Sequence, residues 1–224
     1  MALEHIHSIL GIGNSYLVER NDHCILVDAG FPRDAKKIIK VIKKYEEKPL
    51  KYIIITHAHP DHLGSIKKIK TLYAVEVISH EKEKEYAEGK SYPKPKKFIA
   101  QVFAVVTKVL PKITIKIDHT VTDNETFEGF KVHHTPGHTP GSIILEDTST
   151  EAIFTGDTIV TNRQGTKILK PSPIFSTNYG DVLNSAINSL SQIRPKHIFP
   201  GHGRPIINAE TAVNRFLSKW SAKT

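Results

Sequence analysis

The chain has 224 residues, a formal net charge of +8 and a single cysteine, Cys24. A chain of this length can bury one substantial core, and 39% hydrophobic residues are typical of a globular protein rather than a disordered one. One cysteine excludes an intrachain disulfide, and no apolar run approaches the roughly 20 residues of a membrane span. Residues 1–7 lack the basic start and apolar core of a signal peptide. We therefore expect one cytoplasmic domain over residues 1–224, with no membrane partner.

The first half of the chain is predicted to alternate strands and helices. Apolar runs on either side of the turn-prone segment 20–22 predict a β-hairpin that ends near Asp28. The pattern then predicts a helix over 32–46, a strand over 52–56, a helix from 60 to about 70 and a strand over 75–78. Such alternation is typical of α/β proteins.

The middle of the chain, residues 81–111, differs in character. A charged, proline-containing stretch leads into an apolar helical stretch at 98–106. This segment is interpreted as a helical, lid-like insertion, and a helix docked on the core explains the same pattern equally well. The elements predicted after it are strands at 120–122, 131–134, 142–145 and 152–154, a helix at 181–193, a strand at 197–200 and a helix at 209–220.

The densest group of candidate functional residues comes directly after the apolar run 52–55. It consists of His57, His59, Asp61 and His62. Imidazole and carboxylate are ligands of zinc, iron and manganese, and these four donors with further ligands exceed what one tetrahedral zinc usually takes from a protein. Because side chains alternate along a strand end, His57 and His59 could bind one ion while Asp61 and His62 face a second. The pattern indicates a metal site rather than a histidine-rich surface turn.

Three later segments share the form of an apolar strand that ends in a possible ligand beside a glycine. The ligands are His138, Asp157 and His202. Glycine permits the tight turns and close backbone approach that converging strand ends need. His133 and His134 are the nearest rivals to His138, but they alternate within a predicted strand.

The first motif, taken with His138, Asp157 and His202 in this order, resembles the metallo-β-lactamase superfamily over residues 14 to about 205. This resemblance implies an α/β fold, an αββα sandwich of two mixed sheets flanked by helices, with metals at one edge between the sheets. It implies that the first metal is held by His57, His59 and His138. It implies that the second is held by Asp61, His62 and His202, and that Asp157 bridges both.

The expected activity is hydrolysis of a small ester, thioester or lactone by a hydroxide that two divalent metal ions activate. Zinc is the first expectation for both ions, with iron or manganese as alternatives. Asp61 is also the candidate catalytic residue, because its carboxylate could accept a proton from the nucleophile. The positive net charge favours an anionic small-molecule substrate. Candidate substrate contacts are Arg163, Lys167 and Tyr179.

A bridging Asp157 and an all-histidine first site resemble the glyoxalase II and lactonase branch. Only 22 residues follow His202, fewer than the C-terminal helical domain of glyoxalase II needs. The alternative function is a mononuclear-iron, persulfide dioxygenase-like oxidoreductase. A nuclease or nucleic-acid-binding member is a weaker alternative, because the basic residues are not interleaved with stacking aromatic residues. The sequence leaves the subfamily and the oligomeric state open.

Overall fold

The structure is a computed structural model that describes residues 3–91 and 113–220. Its first sheet has six strands, in chain order from one edge to the other. They are β1 (Ile6–Ile9), β2 (Ser15–Glu19), β3 (Cys24–Val27), β4 (Leu50–Ile54), β5 (Glu76–His80) and β6 (His119–Val121). Strands β1 to β3 are antiparallel and β3 to β6 are parallel, so this sheet is mixed.

The second sheet is built from the C-terminal half of the chain. Its strands are β7 (Thr126–Phe127), β8 (Phe130–His134), β9 (Ile143–Asp147), β10 (Ala152–Gly156), β13 (His197–Pro200) and β14 (Ile206–Ile207). Between β10 and β13 along the chain, β11 (Val160–Thr161) and β12 (Ile168–Leu169) form a separate hairpin. The spatial order is β14-β13-β10-β9-β8-β7. Only β10 and β13 pair in parallel, so this sheet is also mixed.

Helices cover the outer face of each sheet in the described part of the chain. They are α1 (Ala35–Ile42), α2 (Pro60–Leu63), α3 (Ile66–Lys70), α4 (Glu81–Ala87), α5 (Tyr179–Ile193) and α6 (Glu210–Trp220). Buried side chains of the first four helices pack on the first sheet, and those of α5 and α6 pack on the second. The result is the αββα sandwich that the sequence predicted.

The alternation of strand side chains explains why the sheets pack in layers. On β2 and β3, Leu17 and Leu26 face the helices, whereas Val18 and Ile25 face the second sheet. Cys24 lies in the helix-facing layer, where burial raises the pKa of its thiol to about 11. Cys24 is therefore a small residue of the core.

The predicted helix over 60–70 is wrong in one respect, because it divides into α2 and α3. A Cβ at Gly64 would lie 2.4 Å from Cδ of Pro32 and 2.5 Å from the carbonyl oxygen of Pro60. The hydroxyl of Ser65 donates a hydrogen bond to the carbonyl of Phe31 at 2.6 Å. These contacts hold the junction of α2 and α3 against the segment that precedes α1.

The predicted helix over 32–46 is α-helical only in α1, with a 3-10 turn on each side. The expected lid-like insertion over 81–111 begins as the helix α4, and its residues 92–111, including the apolar stretch, lie outside the described residues. Within the described ranges, no helix combines the length and apolar character that a bilayer span requires.

Candidate metal centre

The structure brings all seven candidate ligands together at one edge of the sandwich. Each stands at or just beyond the end of a strand, or in the short helix that follows β4. The loop after β4 carries His57 and His59, and α2 carries Asp61 and His62. Loops of the second sheet after β8, β10 and β13 carry His138, Asp157 and His202.

Three histidines form the first group of converging nitrogen atoms. Nε2 of His57 lies 3.1 Å from Nδ1 of His59, and Nε2 of His138 lies 3.2 Å and 3.0 Å from those two atoms. Nitrogen ligands of one tetrahedral ion at about 2.1 Å stand roughly 3.3 Å apart. The three-histidine group therefore has the spacing of a metal site.

Asp61, His62 and His202 form a second group beside the first. Nε2 of His202 lies 3.3 Å from Oδ2 of Asp61, and Nε2 of His62 lies 3.9 Å from the same oxygen. We call these residues the Asp61 group.

Asp157 lies between the two groups. Its Oδ2 is 3.5 Å from Nε2 of His138 and 3.2 Å from Nε2 of His202, and its Oδ1 is 3.4 Å from Nε2 of His62. One carboxylate thus reaches both groups.

Nδ1 of His138 is buried without a hydrogen-bond partner among the described residues, and so are two atoms that lie 3.4 Å apart within this cluster, Nε2 of His62 and Oδ1 of Asp157. Buried polar atoms in folded proteins almost always have a partner. Both atoms face the cluster, and a cation between the ligands would satisfy both at once. The donor set and these two atoms therefore fit divalent metal ions.

The electrostatics of the three-histidine group favour the ligand form of imidazole. Burial lowers the pKa of His57, His59 and His138, to about 3 for His138. Neutral imidazole, which binds metals through a lone pair, is therefore the form present near pH 7.

The two carboxylates, Asp61 and Asp157, are charged, in contrast to the three neutral imidazoles. Burial alone would raise their pKa values, but the neighbouring His62 and His202 outweigh it. The pKa of Asp61 falls to about 2, and that of Asp157 lies well below its usual range. Both are therefore anionic ligands at neutral pH.

Asp28 is a functional residue that the sequence did not reveal as one. Its Oδ2 lies 2.8 Å from Nδ1 of His62 and accepts a hydrogen bond from the Thr56 hydroxyl, while its Oδ1 accepts one from the Thr56 amide. A carboxylate on Nδ1 orients the ring and leaves Nε2 for a metal. The one available signal was an aspartate at the end of β3, beside the ligand-bearing end of β4.

The first sheet also holds the loop that carries His202. The side-chain amide of Asn14 donates to the carbonyls of Pro200 and Gly203 at 3.0 Å and 2.8 Å, and the hydroxyl of Tyr16 donates to Pro200 at 2.6 Å. These bonds connect β2 with the end of β13, so the two sheets are tied together at the site.

The remaining predicted residues lie on neighbouring segments. Arg163 and Lys167 are exposed in the turn between β11 and β12, and Thr161 at its base donates a backbone hydrogen bond to His202 at 3.1 Å. Tyr179 is half-buried at the start of α5, two residues after Thr177, whose amide donates to the carbonyl of His138 at 3.0 Å. Their contact with substrate stays a prediction.

The rival histidines have other partners. Nε2 of His133 lies 2.6 Å from Glu146, and Nε2 of His134 donates to the carbonyl of Pro140 at 2.9 Å. The ring of His134 also stacks on that of His80, with centroids 4.2 Å apart.

Comparison with known proteins agrees with this architecture. The profile of the metallo-β-lactamase superfamily matches residues 9–202, and the chain belongs to that superfamily. The uncharacterized protein YobT of Bacillus subtilis is 31% identical over 214 residues, which cover 92% of this chain and 89% of YobT. The probable metallo-hydrolase YybB of the same organism is 25% identical, covering 92% of this chain and 88% of YybB.

A hydroxyacylglutathione hydrolase of Pelagibacter ubique is 29% identical over 192 residues, which cover 84% of this chain and 65% of that protein. Among solved structures, the B3 metallo-β-lactamase BLEG-1 superposes with a TM-score of 0.70 at 24% identity, covering 95% of this chain and 99% of that one. The di-iron-bound form of TTHA1623 gives 0.67 at 23% identity, covering 92% and 96%. Superfamily and relatives together indicate a metallo-hydrolase that uses divalent metal ions.

Proposed function

We propose that the chain is a binuclear metallo-hydrolase of small esters, thioesters or lactones. The observation that carries this proposal is the position of Asp157, whose Oδ2 lies 3.5 Å from the His138 ligand atom and 3.2 Å from that of His202. A carboxylate that reaches two ligand groups suits a pair of adjacent ions. The three-histidine group would hold one ion, the Asp61 group would hold the other, and Asp157 would bridge them.

Two divalent ions held by these residues would supply a nucleophilic hydroxide near neutral pH and would polarise the carbonyl oxygen of a substrate. The protein contributes Asp61, which is ionised because its pKa is about 2. Its Oδ2 lies 3.3 Å from Nε2 of His202, so its other oxygen can orient the attacking water and accept a proton from it.

The substrate class rests on the relatives and on the charges near the centre. A relative named for hydroxyacylglutathione hydrolysis supports ester-type chemistry. Arg163 and Lys167 beside the His202 loop would attract an anionic small molecule, and the hydroxyl of Tyr179 would donate to a developing oxyanion.

Zinc is the first candidate metal because imidazole and carboxylate at tetrahedral spacing suit it. Iron is the second candidate, since the similar fold of TTHA1623 binds two iron ions. Manganese also accepts this donor set.

The test combines metal content with activity. Protein purified without added metal is analysed for its elements and assayed on a panel of esters, thioesters, lactones and phosphodiesters. We expect about two ions per chain and hydrolysis of an ester-type member of the panel. The substitution His59→Ala should reduce this hydrolysis at least about 100-fold, whereas the control His119→Ala, at a side chain that is 57% exposed, should not change it.

Four outcomes would contradict the proposal. One is hydrolysis of no member of the panel by metal-loaded protein, and another is full activity in the His59→Ala variant. One iron per chain, with oxygen consumed alongside a glutathione persulfide, would favour the oxidoreductase. Salt-sensitive nucleic-acid binding that is unchanged when the metal ligands are substituted would favour a nucleic-acid-binding protein instead.

A further inference from the structure

Glu83 is a buried carboxylate at the metal centre that contacts backbone amides rather than ligand rings. It lies on α4 and is fully buried. Its Oε2 accepts a hydrogen bond from the amide of Ala58 at 2.8 Å, and its Oε1 accepts one from the amide of Gly141 at 2.7 Å. Each oxygen therefore holds one segment of backbone.

These two segments carry the three-histidine group. Ala58 lies between His57 and His59 in the loop after β4 of the first sheet, and Gly141 lies three residues beyond His138 in the loop after β8 of the second. The ligand atoms converge to within 3.2 Å only if the two loops keep a fixed relative position. A planar carboxylate with one bond to each loop sets that position directly.

Glu83 itself is held by a fixed element. The N-terminus of α4 is capped by His80, whose Nδ1 accepts a hydrogen bond from the amide of Lys82 at 3.2 Å. A Cβ at Gly141 would lie 2.7 Å from the Glu83 nitrogen and 2.8 Å from its Cγ. The His138 loop thus approaches α4 as closely as a residue without a side chain allows.

The energetic cost of this arrangement indicates a specific role. Burying a carboxylate is unfavourable unless hydrogen bonds compensate, and an apolar residue would fill the same space without that cost. Burial raises the pKa of Glu83, and hydrogen bonds from the Thr139 side chain and from the amides of Gly141 and Ala58 lower it in part. The same contacts that stabilise the charge are those that hold the loops.

We propose that Glu83 is a positioning residue that sets the spacing of the three-histidine group before a metal binds. The inference rests on the metal assignment proposed above. It differs from the role of Asp28, which contacts a ligand ring, because Glu83 acts through the backbone of two loops from opposite sheets.

The substitution Glu83→Gln tests this role with little change in volume. A glutamine places an NH2 group opposite one of the two amides, so one loop loses its acceptor. We expect the affinity for Co²⁺ at the three-histidine group to fall about 10-fold to 100-fold, as for other residues that support metal ligands. The visible absorption spectrum of the bound Co²⁺ should also change, because it reports the ligand geometry.

The matched control is Glu85→Gln, which makes the same chemical change on an exposed side of α4. It should leave both the Co²⁺ affinity and the spectrum unchanged. Unfolding of the metal-free variants by denaturant separates a loss of positioning from a loss of folding. A folded Glu83→Gln protein with wild-type Co²⁺ affinity and spectrum would overturn the inference.

Wild-type protein provides a second measurement that does not depend on the folding of the variant. In metal-free protein, the amide hydrogens of Ala58 and Gly141 should exchange as slowly as those of β4, and rapid exchange of both would also overturn the inference. The substitution His57→Ala distinguishes the two proposals. If it too retains full Co²⁺ affinity, the metal assignment fails, whereas loss only in His57→Ala refutes the role of Glu83 alone.

Discussion

Oδ2 of Asp28 lies 2.8 Å from Nδ1 of His62, although the two residues are 34 positions apart along the chain. The same carboxylate accepts hydrogen bonds from the amide and hydroxyl of Thr56, the residue before the first ligand. Asp28 has a φ of +56°, a conformation that aspartate and asparagine tolerate better than most residues. The end of β3 thus orients a ligand of the Asp61 group.

The substitution Asp28→Asn should weaken metal binding by the Asp61 group about 10-fold to 100-fold. Asparagine tolerates the same backbone conformation, but one of its two side-chain oxygen positions becomes an NH2 group, so His62 or Thr56 loses its acceptor. Elemental analysis after dialysis should show metal content falling from about two ions toward one. The control Asp22→Asn changes a side chain that is 85% exposed, and equal metal content in both variants would contradict this role.

All seven candidate ligands could be found from the sequence because each follows an apolar strand and stands near a glycine or proline. Residues that hold the ligands carry no such local signal. Asp28 meets His62 at a separation of 34 residues, Glu83 meets Gly141 at 58, and Asn14 meets Gly203 at 189. Only the packing of two sheets brings these partners together, so one sequence does not reveal them.

The elements of the fold show the same difference, because local sequence determines some of them and distant contacts determine the others. The hairpin of β2 and β3, the strand β13 and the helix α5 were predictable because each has a clear period or turn signal. The two-residue strands β7, β11, β12 and β14 were not, since two residues show no period and their pairing defines them. The junction of α2 and α3 depends on Pro32, about 30 residues earlier.

The substitution Gly201→Ala should abolish tight metal binding for a steric reason. A Cβ there would lie 2.4 Å from Oδ1 of Asp157 and 2.7 Å from Cε1 of His62. The φ of Gly201 is not positive, so alanine adds no backbone strain and the clash alone must displace the ligands. We expect metal affinity and hydrolysis to fall at least about 100-fold.

Gly180→Ala is the control for this substitution, because the nearest atom to its Cβ would be 3.6 Å away, an ordinary contact. Gly180 lies in α5, where alanine is the better helix former, so stability should stay equal or rise slightly. Wild-type metal affinity in Gly201→Ala would contradict the predicted clash and would show that Asp157 and His62 can move aside without losing the metal.

Metal binding should release protons. In the metal-free protein the charges of Asp157 and Asp61 outweigh burial and raise the pKa of His202 to about 10, and Asp28 and Asp157 raise that of His62. Both rings are therefore protonated at pH 7 and must lose a proton before Nε2 can bind an ion. Affinity should consequently fall as the pH falls.

Titration calorimetry in buffers with different ionisation enthalpies measures this release directly. We expect about two protons for the ion bound by the Asp61 group near pH 7. A binding enthalpy that does not depend on the buffer would contradict the predicted protonation of His62 and His202.

Asp147 should make the stability of the protein depend on pH on the acid side. Its Oδ2 lies 2.8 Å from the Arg20 guanidinium, and the amide and hydroxyl of Ser149 donate to its Oδ1. These contacts outweigh burial and lower the pKa of Asp147. The pair therefore stabilises the fold above about pH 4, the range of an unfolded aspartate, and this contribution is lost as the pH falls through the folded pKa.

Asp147→Asn should lower the free energy of unfolding by roughly 3 kcal/mol at pH 7, because it leaves the partly buried Arg20 charge without its counter-ion. The deficit should shrink as the pH is lowered below about 4, because the aspartate of the unfolded chain binds a proton there and that of the folded protein binds one at a lower pH. Urea unfolding across this pH range measures both effects. Glu151→Gln, at a side chain that is 69% exposed, should behave like wild type, and a deficit independent of pH would contradict the ionic role.

Arg163 and Lys167 should select substrates by charge. They lie on the exposed turn between β11 and β12, whose base is bonded to the His202 loop, and residues 158–180 contain no aspartate or glutamate. An anionic substrate would therefore meet two cations on a turn that carries no acidic side chain. Exposed ion pairs contribute up to about 1 kcal/mol each, so replacing both residues by alanine should raise KM for an anionic ester roughly 3-fold to 10-fold.

The kcat of this double variant should stay close to that of wild type, because neither side chain is a ligand or the proton acceptor. A neutral ester of the same length is the substrate control, and Arg215→Ala on α6 is the protein control. High salt should remove the advantage of wild type for the anionic ester, since exposed charges are screened. An equal rise in KM for the neutral and the anionic ester would contradict selection by charge and would show that the turn contributes only to the shape of the site.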